Sequence, residues 1–202
     1  MTPRQAHAER NAGILSAAER ARLARFARAE DRDRFLAAHV ALRILLGERL
    51  GQRPEHVRIH QAPCAGCGGP HGRPVVPGNP VHFSLAHAGD LFVIALSERA
   101  VVGVDVERIP AHVLPGALHP AEEAELALLP AAERPAAFAR AWTRKEAVLK
   151  ARGTGLRTDP TTLLVGTAPT PLPDPAWHLT PIPAPPPYTA TRAVLSEGLS
   201  GD

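Results

Sequence analysis

Two acidic residues, Asp105 and Glu107, are the first candidates for chemistry in this sequence. They belong to the run Gly-Val-Asp-Val-Glu at 103–107, which follows two further valines and therefore predicts a buried strand. Because side chains alternate between the two faces of a strand, both carboxylates are expected on one face. Two carboxylates that share a site repel each other unless a cation neutralises them.

A third carboxylate, Glu146, lies in a segment that predicts a helix. Residues 142–150 contain good helix formers, and no glycine or proline follows before Gly153. Trp142, Glu146 and Lys150 recur at intervals of four residues, so they share one helix face. Together with the strand, this face would form an all-oxygen site that suits Mg²⁺ or Mn²⁺ better than zinc. A hard metal beside a lysine is typical of chemistry on phosphate esters.

Each segment also has a simpler interpretation. An acidic pair on a strand is commonly a solvated edge, and a pair such as Glu146 and Lys150 at i, i+4 is commonly an exposed salt bridge worth roughly 0.3 kcal/mol. The order and spacing of the two segments favour the functional interpretation.

The combination resembles the 4′-phosphopantetheinyl transferases, in particular the surfactin-synthetase type, which is built as two similar halves in one chain. The family's Gly-apolar-Asp-apolar-Glu strand is similar to residues 103–107. Its Trp-x-x-Lys-Glu-Ala/Ser-x-x-Lys helix and Gly-x-Gly-Leu turn are similar to residues 142–150 and 153–156. The resemblance covers the chain from about residue 15 to about residue 165.

The resemblance implies an α+β fold of two similar halves with pseudo-twofold symmetry and an active site at their interface. Residues 1–100 would contact coenzyme A, and residues 101–202 would carry the metal site and the catalytic helix. It implies a monomeric holo-[acyl-carrier-protein] synthase. Such an enzyme transfers 4′-phosphopantetheine from coenzyme A to a serine of an apo acyl or peptidyl carrier protein and releases 3′,5′-ADP. Which carrier proteins are modified stays open.

Residue roles follow from the same resemblance. Asp105, Glu107 and Glu146 would bind Mg²⁺, and Lys150 would contact the phosphate that is attacked or released. The base for the serine proton is either Glu146 or a water that Glu146 or the metal orients. Coenzyme A contacts, several of them guanidinium groups suited to charge-assisted bonds with phosphate, are implied at Arg22, Arg34, Gly72, Arg73, Pro74 and His87.

Two features depart from the family pattern. The family's Phe-Asn-apolar-Ser-His-Ser-Gly run corresponds to residues 83–89, where Ala86 and Ala88 stand in place of two serines. The absence of these hydroxyls predicts weaker coenzyme A binding, by about 1 kcal/mol per lost hydrogen bond. The polar start, residues 1–13, shows no recognisable opening strand.

A cysteine cluster occupies residues 64–71, where Cys-x2-Cys is followed by a histidine four residues later. This spacing fits zinc, with His60 or His82 as a candidate fourth ligand. The pattern lacks a second cysteine pair, so two reduced thiols or a redox-labile pair is the favoured interpretation, and structural zinc at Cys64 and Cys67 is the alternative.

Composition limits the class of protein. The 202 residues suffice for one sizeable core or two small halves. Two cysteines, no long apolar run and no cleavable apolar leader predict a cytoplasmic protein without a membrane partner. A net charge of +3 suits an anionic ligand or an acidic protein partner, and 4% aromatic residues offer no stacking platform for nucleic acid.

The predicted elements alternate between helices and strands. Helices are predicted at 16–30, from Asp31 or Asp33 to Arg49, and at 120–129 and 135–152; strands are predicted at 57–60, 81–85, 91–96, 101–107, 163–165, 177–179 and 188–195.

Three other functions fit the same residues. A metal-dependent phosphodiesterase or nuclease would use the same acids with water as acceptor, so it would hydrolyse coenzyme A without a carrier protein. A zinc-stabilised binding module would keep its function when Glu146 is replaced. A homologue without activity would bind coenzyme A without turnover.

Overall fold

A computed structural model describes residues 12–78 and 80–196. Within these ranges the fold is α+β, as predicted. The α-helices are α1 (Ala17–Leu23), α2 (Ala29–Leu50), α3 (Pro120–Leu128) and α4 (Arg134–Arg152). The strands are β1 (His60–Gln61), β2 (Pro74–Val75), β3 (His82–Ala88), β4 (Leu91–Ser97), β5 (Val102–Arg108), β6 (Trp177–Ile182) and β7 (Tyr188–Leu195). None of the described helices has the length and apolar character needed to cross a membrane.

The described residues divide into two compact units. Residues up to Ile59, together with 76–81, form the first unit, and residues 60–75, together with those from His82 onward, form the second. The expected halves, 1–100 and 101–202, with their separate roles, stay a prediction. The prediction that residues 1–13 lack an opening strand falls largely outside the described residues, which begin at Ala12.

The first unit is built on α1 and α2. Ser16 caps α1 in a capping box with Glu19, as the sequence predicts. The helix predicted over 16–30 is wrong at residues 24–28, where the chain turns between α1 and α2 and the Phe26 ring packs on Phe35 of α2, with ring centroids 5.3 Å apart. Helix α2 ends at Gly51, whose φ of 62° lies in the left-handed region that favours glycine.

A buried charged group ties the two helices of the first unit together. Arg43 of α2 is almost fully buried, and its Nε donates to Glu19 Oε2 at 2.6 Å. His39 Nδ1 lies 3.0 Å from the other oxygen of Glu19. Burial raises the pKa of Glu19, but the hydrogen bonds from His39, Ser16 and Arg43 outweigh it and lower the pKa to about 2.

The second unit contains an antiparallel sheet in the order β5-β7-β6 and an antiparallel hairpin of β3 and β4. Val102, Val104 and Val106 are buried in an apolar cluster with Ala86 of β3 and Ala95 of β4. The alternate residues of β5 point to the opposite face, which packs against α4. The sheet therefore presents Asp105 and Glu107 on the helix side of the strand.

Close approach of α4 to β5 depends on Gly103. A Cβ at this position would lie 1.9 Å from the carbonyl oxygen of Ala147 and 2.7 Å from the backbone nitrogen of Ala151. Both are backbone atoms of α4, so a side chain at position 103 would push the helix away from the strand. The glycine of the Gly-Val-Asp-Val-Glu run thus brings the helix and the two acids together.

The substitution Gly103→Ala is expected to destabilise the second unit by about 1–3 kcal/mol or more, because the helix and the strand cannot both keep their positions. Urea unfolding followed by tryptophan fluorescence reports on this unit, since both tryptophans, Trp142 and Trp177, lie in it. Gly13→Ala is the control, as a Cβ there meets nothing within 4 Å. An unchanged urea midpoint for Gly103→Ala would contradict the packing argument.

Most of the later elements are confirmed within a few residues, and two predicted strands are wrong. The strand predicted at 57–60 is instead the two-residue β1, paired with β2. Residues 163–165 are not a strand, because their backbone is bound by side chains: Val165 and Gly166 donate to the Glu122 carboxylate at 2.8 and 2.9 Å.

Candidate active site

Asp105 is the most buried carboxylate of the predicted site, with 3% of its surface exposed. It lies at the middle of β5, opposite Thr191 of β7. Its Oδ1 accepts a hydrogen bond from Lys150 Nζ at 2.6 Å, and this ion pair joins β5 to α4. Its Oδ2 is buried and has no hydrogen-bond partner. A buried carboxylate oxygen without a partner destabilises the fold, so this oxygen is a candidate ligand for a bound cation.

The predicted helix face is confirmed. Between residues 141 and 150 of α4, only Trp142, Glu146 and Lys150 are partly exposed, and the rest are buried. The Trp142 indole donates a hydrogen bond to Glu107, and Lys150 bonds Asp105. Thr143 fixes the helix on the sheet through a buried contact of 3.1 Å between its Oγ1 and that of Thr191.

The pKa values of the site depend on three carboxylates and one ammonium group that are partly or fully buried. Burial raises the pKa of Asp105 to about 7, although Lys150 lowers it, and the charges of Glu107 and Glu146 raise it further. Burial also raises the pKa of Glu107 and that of Glu146, and Lys150 opposes both shifts. The strand and the helix are joined by the contact of Lys150 with Asp105, and the role of these residues as one site stays a prediction.

The donor set fits a hard divalent cation. Asp105, Glu107 and Glu146 supply only oxygen ligands, and the unpartnered Oδ2 of Asp105 is available to a metal. In the described chain their ligand atoms are not gathered within 4.8 Å of one another, and Lys150 Nζ is bound to the other Asp105 oxygen. A cation would therefore compete with the Lys150 ammonium for Asp105.

Sequence reasoning missed the role of Lys145, the lysine next to Glu146. Its side chain is fully buried, and its Nζ lies 2.6 Å from Oε2 of Glu122, which is also fully buried. Nζ further donates to the carbonyl oxygens of Pro160 and Leu163. Lys145 is thus an anchor for the chain after α4, away from the acidic face. A helical-wheel projection places Lys145 about 100° around the helix axis from Glu146, to one side of the acidic face.

Arg144 has a similar anchoring role. Its guanidinium is buried and donates to carbonyl oxygens of the following loop, at 2.6 Å to Gly166, 2.7 Å to Ala168 and 2.8 Å to Pro169. Burial lowers its pKa to about 10. The two charged residues before Glu146 therefore fix the loop that covers the buried side of α4.

The predicted coenzyme A contacts have different surroundings in the two units. In the first unit, Arg22 lies over the ring of Phe35 at 5.2 Å, and Arg34 pairs with Asp31 at 2.9 Å. In the second unit, Arg73 is half-buried and His87 is exposed at the end of β3.

Residues 72–74 occupy the base of the β1–β2 hairpin. Gly72 is buried, and a Cβ there would lie 2.6 Å from the carbonyl oxygens of Ala62 and Pro63, so only glycine fits. Arg73 packs against Gly153, the residue that ends α4, and burial lowers the pKa of its guanidinium. Pro74 begins β2. Arg73 thus lies beside the C-terminal end of α4.

Ala86 and Ala88, which stand where the family pattern has serines, pack in or against the apolar core. Ala86 is 3% exposed within the apolar cluster of β5, and Ala88 packs against the same cluster. Ser84 also has a structural role, since its buried Oγ accepts the backbone N–H of Val104 at 3.1 Å. A hydroxyl at position 86 would therefore enter apolar surroundings.

Comparison with known proteins points to one class of protein. Residues 101–191 match the model of the 4′-phosphopantetheinyl transferase superfamily, and this range contains Asp105, Glu107, Glu146 and Lys150. The chain is 35% identical over 151 residues to the putative 4′-phosphopantetheinyl transferase slr0495 of Synechocystis sp., which covers 71% of this chain and 58% of that protein.

Two further relatives carry the same description. 4′-phosphopantetheinyl transferase AcpT of Salmonella typhi is 36% identical over 127 residues, 58% of this chain and 59% of that protein. 4′-phosphopantetheinyl transferase HetI of Nostoc sp. is 32% identical over 154 residues, 72% of this chain and 62% of that protein. The chain thus spans about three fifths of these relatives. The comparisons support the 4′-phosphopantetheinyl transferase family and do not distinguish the surfactin-synthetase type.

Proposed function

We propose that this protein transfers 4′-phosphopantetheine from coenzyme A to a serine hydroxyl of an apo acyl or peptidyl carrier protein. The serine oxygen forms a bond to the phosphorus next to pantetheine, the bond to the bridging oxygen breaks, and 3′,5′-ADP leaves. The observation that carries the proposal is the acidic face of β5 and α4, where Asp105 and Lys150 pair at 2.6 Å beside Glu107 and Glu146.

The chain's own residues supply charge and a proton acceptor. Lys150 is partly exposed, so its ammonium can turn from Asp105 to a phosphate oxygen and offset the charge that develops there. Glu146 receives the serine proton, directly or through a water, and the raised pKa of its carboxyl makes it a better base than an exposed glutamate. Trp142 orients Glu107 by donating to its carboxylate.

Asp105, Glu107 and Glu146 are the residues that would bind Mg²⁺. When bound, the ion supplies a Lewis acid that neutralises charge on the diphosphate. The unpartnered Oδ2 of Asp105 supports this assignment.

Contacts with the rest of coenzyme A are proposed for Arg22, Arg34, Arg73 and His87, with Gly72 and Pro74 shaping the loop that carries Arg73. Of these, Arg73 has the clearest structural support, because it packs against the residue that ends α4. The surfactin-synthetase subtype, with its pseudo-twofold pair of halves and monomeric state, belongs to the same proposal.

The experiment that tests the function is an incubation with Mg²⁺, coenzyme A and an apo carrier protein, followed by intact-mass measurement of the carrier. Transfer adds the mass of one phosphopantetheine to the carrier, and a carrier with its serine replaced by alanine is the control. Hydrolysis of coenzyme A without carrier modification would favour the phosphodiesterase. Bound coenzyme A without any product would favour a homologue without activity.

The raised pKa of Asp105 predicts that magnesium binding depends on pH. The ordinary aspartate pKa is 3.8 and the folded value is about 7, so the metal-free folded chain retains a proton that the unfolded chain releases. The stabilisation that comes from the proton retained on Asp105 is fully present below pH 3.8 and is lost as the pH rises through about 7. Below that pH, Mg²⁺ has to displace the proton.

We therefore expect the increase in Tm caused by Mg²⁺ to grow from about pH 6 to about pH 8, with apparent affinity falling about tenfold per pH unit below the folded pKa. Thermal unfolding at a series of Mg²⁺ concentrations measures this dependence. Asp105→Asn is the control, because it has no proton to displace. An equal or larger effect of Mg²⁺ at the lower pH would contradict the assignment of Asp105 as a ligand.

A further inference from the structure

We propose that Cys64, Cys67 and His71 bind one zinc ion, with the fourth coordination position open to water or an exogenous ligand. These three residues lie in the loop between β1 and β2. Among the residues that the structure describes, they are the group whose ligand atoms lie within 4.8 Å of one another. The sequence favoured reduced thiols over zinc, and the structure supports zinc by bringing His71 close to both thiols.

The ligand distances are close to those of a tetrahedral zinc site. His71 Nε2 lies 3.2 Å from Cys67 Sγ. Zinc bonds of about 2.3 Å to sulfur and about 2.05 Å to nitrogen at a tetrahedral angle separate the two atoms by about 3.6 Å. The Cys67–His71 pair therefore needs only a few tenths of an ångström of adjustment, and Cys64 Sγ lies within 4.8 Å of both atoms.

Backbone geometry prepares Cys64 to be a thiolate ligand. The N–H groups of Gly66 and Cys67 donate to its sulfur. The turn itself is closed by bonds from the amides of Cys67 and Gly68 to the Cys64 carbonyl, at 3.3 and 2.7 Å. Gly68 has a φ of 70°, which a glycine adopts without strain. Amide donors on the sulfur stabilise the negative charge that metal binding requires.

Gly69 keeps the centre of the cluster free of side chains. A Cβ at this position would lie 3.0 Å from the His71 ring and 3.4 Å from Cys67 Sγ. Cys64 is buried, while Cys67 and His71 are exposed, so the ion would be accessible from solvent on one side. Three protein ligands and one accessible position describe a site from which zinc exchanges more readily than from a four-ligand site.

The position of the loop suggests what the zinc stabilises. Its base is closed by hydrogen bonds between Ala62 and the carbonyl of Arg73, at 3.0 Å, and between Gly72 and Ala62, at 2.9 Å. The Arg157 guanidinium, just after α4, lies beside Cys64. A bound ion would fix the segment 62–73, which has little apolar core of its own, next to the end of α4.

Metal analysis of the full chain tests the proposal. After purification without chelator we expect about one zinc per chain, and Co²⁺ added to the metal-free protein should give a thiolate-to-cobalt charge-transfer band. Cys64→Ser, Cys67→Ser and His71→Ala should each weaken Co²⁺ binding by more than about 100-fold, beyond the loss of an outer-shell partner. His112→Ala is the matched control: it removes an exposed histidine outside the β1–β2 loop and should leave zinc content unchanged.

Two outcomes would overturn the proposal. One is wild-type protein without stoichiometric zinc and without the cobalt band, with both thiols freely titratable or joined in a disulfide. The other is zinc that persists in all three ligand variants, which would place the ion elsewhere. Because the cobalt band is measured on wild-type protein, poor folding of a variant does not affect the result. Loss of phosphopantetheine transfer plays no part in these measurements, so the zinc site and the proposed function fail separately.

Discussion

Asp105→Asn is expected to lower kcat/KM for phosphopantetheine transfer by about 10²–10³-fold, the range found when one preorganised charge-stabilising group is removed. The substitution removes the ligand charge and leaves the side-chain shape. It should leave the fold intact, because the amide has the size of the carboxylate and its oxygen can still accept the hydrogen bond from Lys150. Lys150, the partner of Asp105, is 32% exposed and can reach solvent.

Initial rates of carrier modification at saturating Mg²⁺ measure the effect, and urea unfolding of the same variant checks the fold. Glu48→Gln is the control, since it neutralises an exposed carboxylate on α2 and should leave the rate unchanged. A folded Asp105→Asn protein with a rate close to the wild-type value would remove Asp105 from the catalytic machinery.

Glu122→Ala is expected to destabilise the second unit by about 3–5 kcal/mol, because it leaves the Lys145 ammonium buried without its partner. The same carboxylate also accepts backbone N–H groups of Val165 and Gly166, which would lose their bonds. For a chain of this size the Tm should fall by about 10 °C or more.

The double variant Glu122→Gln/Lys145→Met separates the ion pair from general damage to the core. The double variant removes both charges. It should therefore lower the free energy of unfolding by less than the sum of the losses in Glu122→Gln and Lys145→Met measured singly. Fluorescence of Trp142 and Trp177 during urea unfolding reports the three values. Strict additivity would show that the two side chains stabilise the fold independently, contrary to the 2.6 Å contact between them.

The acidic face could be predicted from the sequence because it rests on two local periodicities. Side-chain alternation placed Asp105 and Glu107 together on β5, and the four-residue interval placed Glu146 and Lys150 together on α4. The fold confirms both faces and shows why they meet, since Gly103 leaves room for the α4 backbone. That contact joins distant parts of the chain, and a spacing pattern in the sequence does not encode it.

The parts that sequence reasoning missed depend on long-range partners. Residues 163–165 have the composition of a strand, but the amides of Val165 and the next residue, Gly166, bind Glu122, a side chain more than forty residues earlier. Lys145 belongs to the same motif as Glu146, yet it pairs with Glu122 in the interior. Helix α1 ends at Leu23, and the turn that follows is held by a tertiary contact, the packing of Phe26 on Phe35. Helix propensity alone would have continued the helix through residues 24–28.

The most direct test of the account is to locate a bound divalent cation in crystals grown with Mn²⁺ and coenzyme A, by the anomalous scattering of manganese. We expect one manganese with oxygens of Asp105, Glu107 and Glu146 at roughly 2.2 Å, beside the diphosphate. Manganese bound elsewhere, with Lys150 still paired to Asp105 and Glu146 turned away from coenzyme A, would contradict the proposed site.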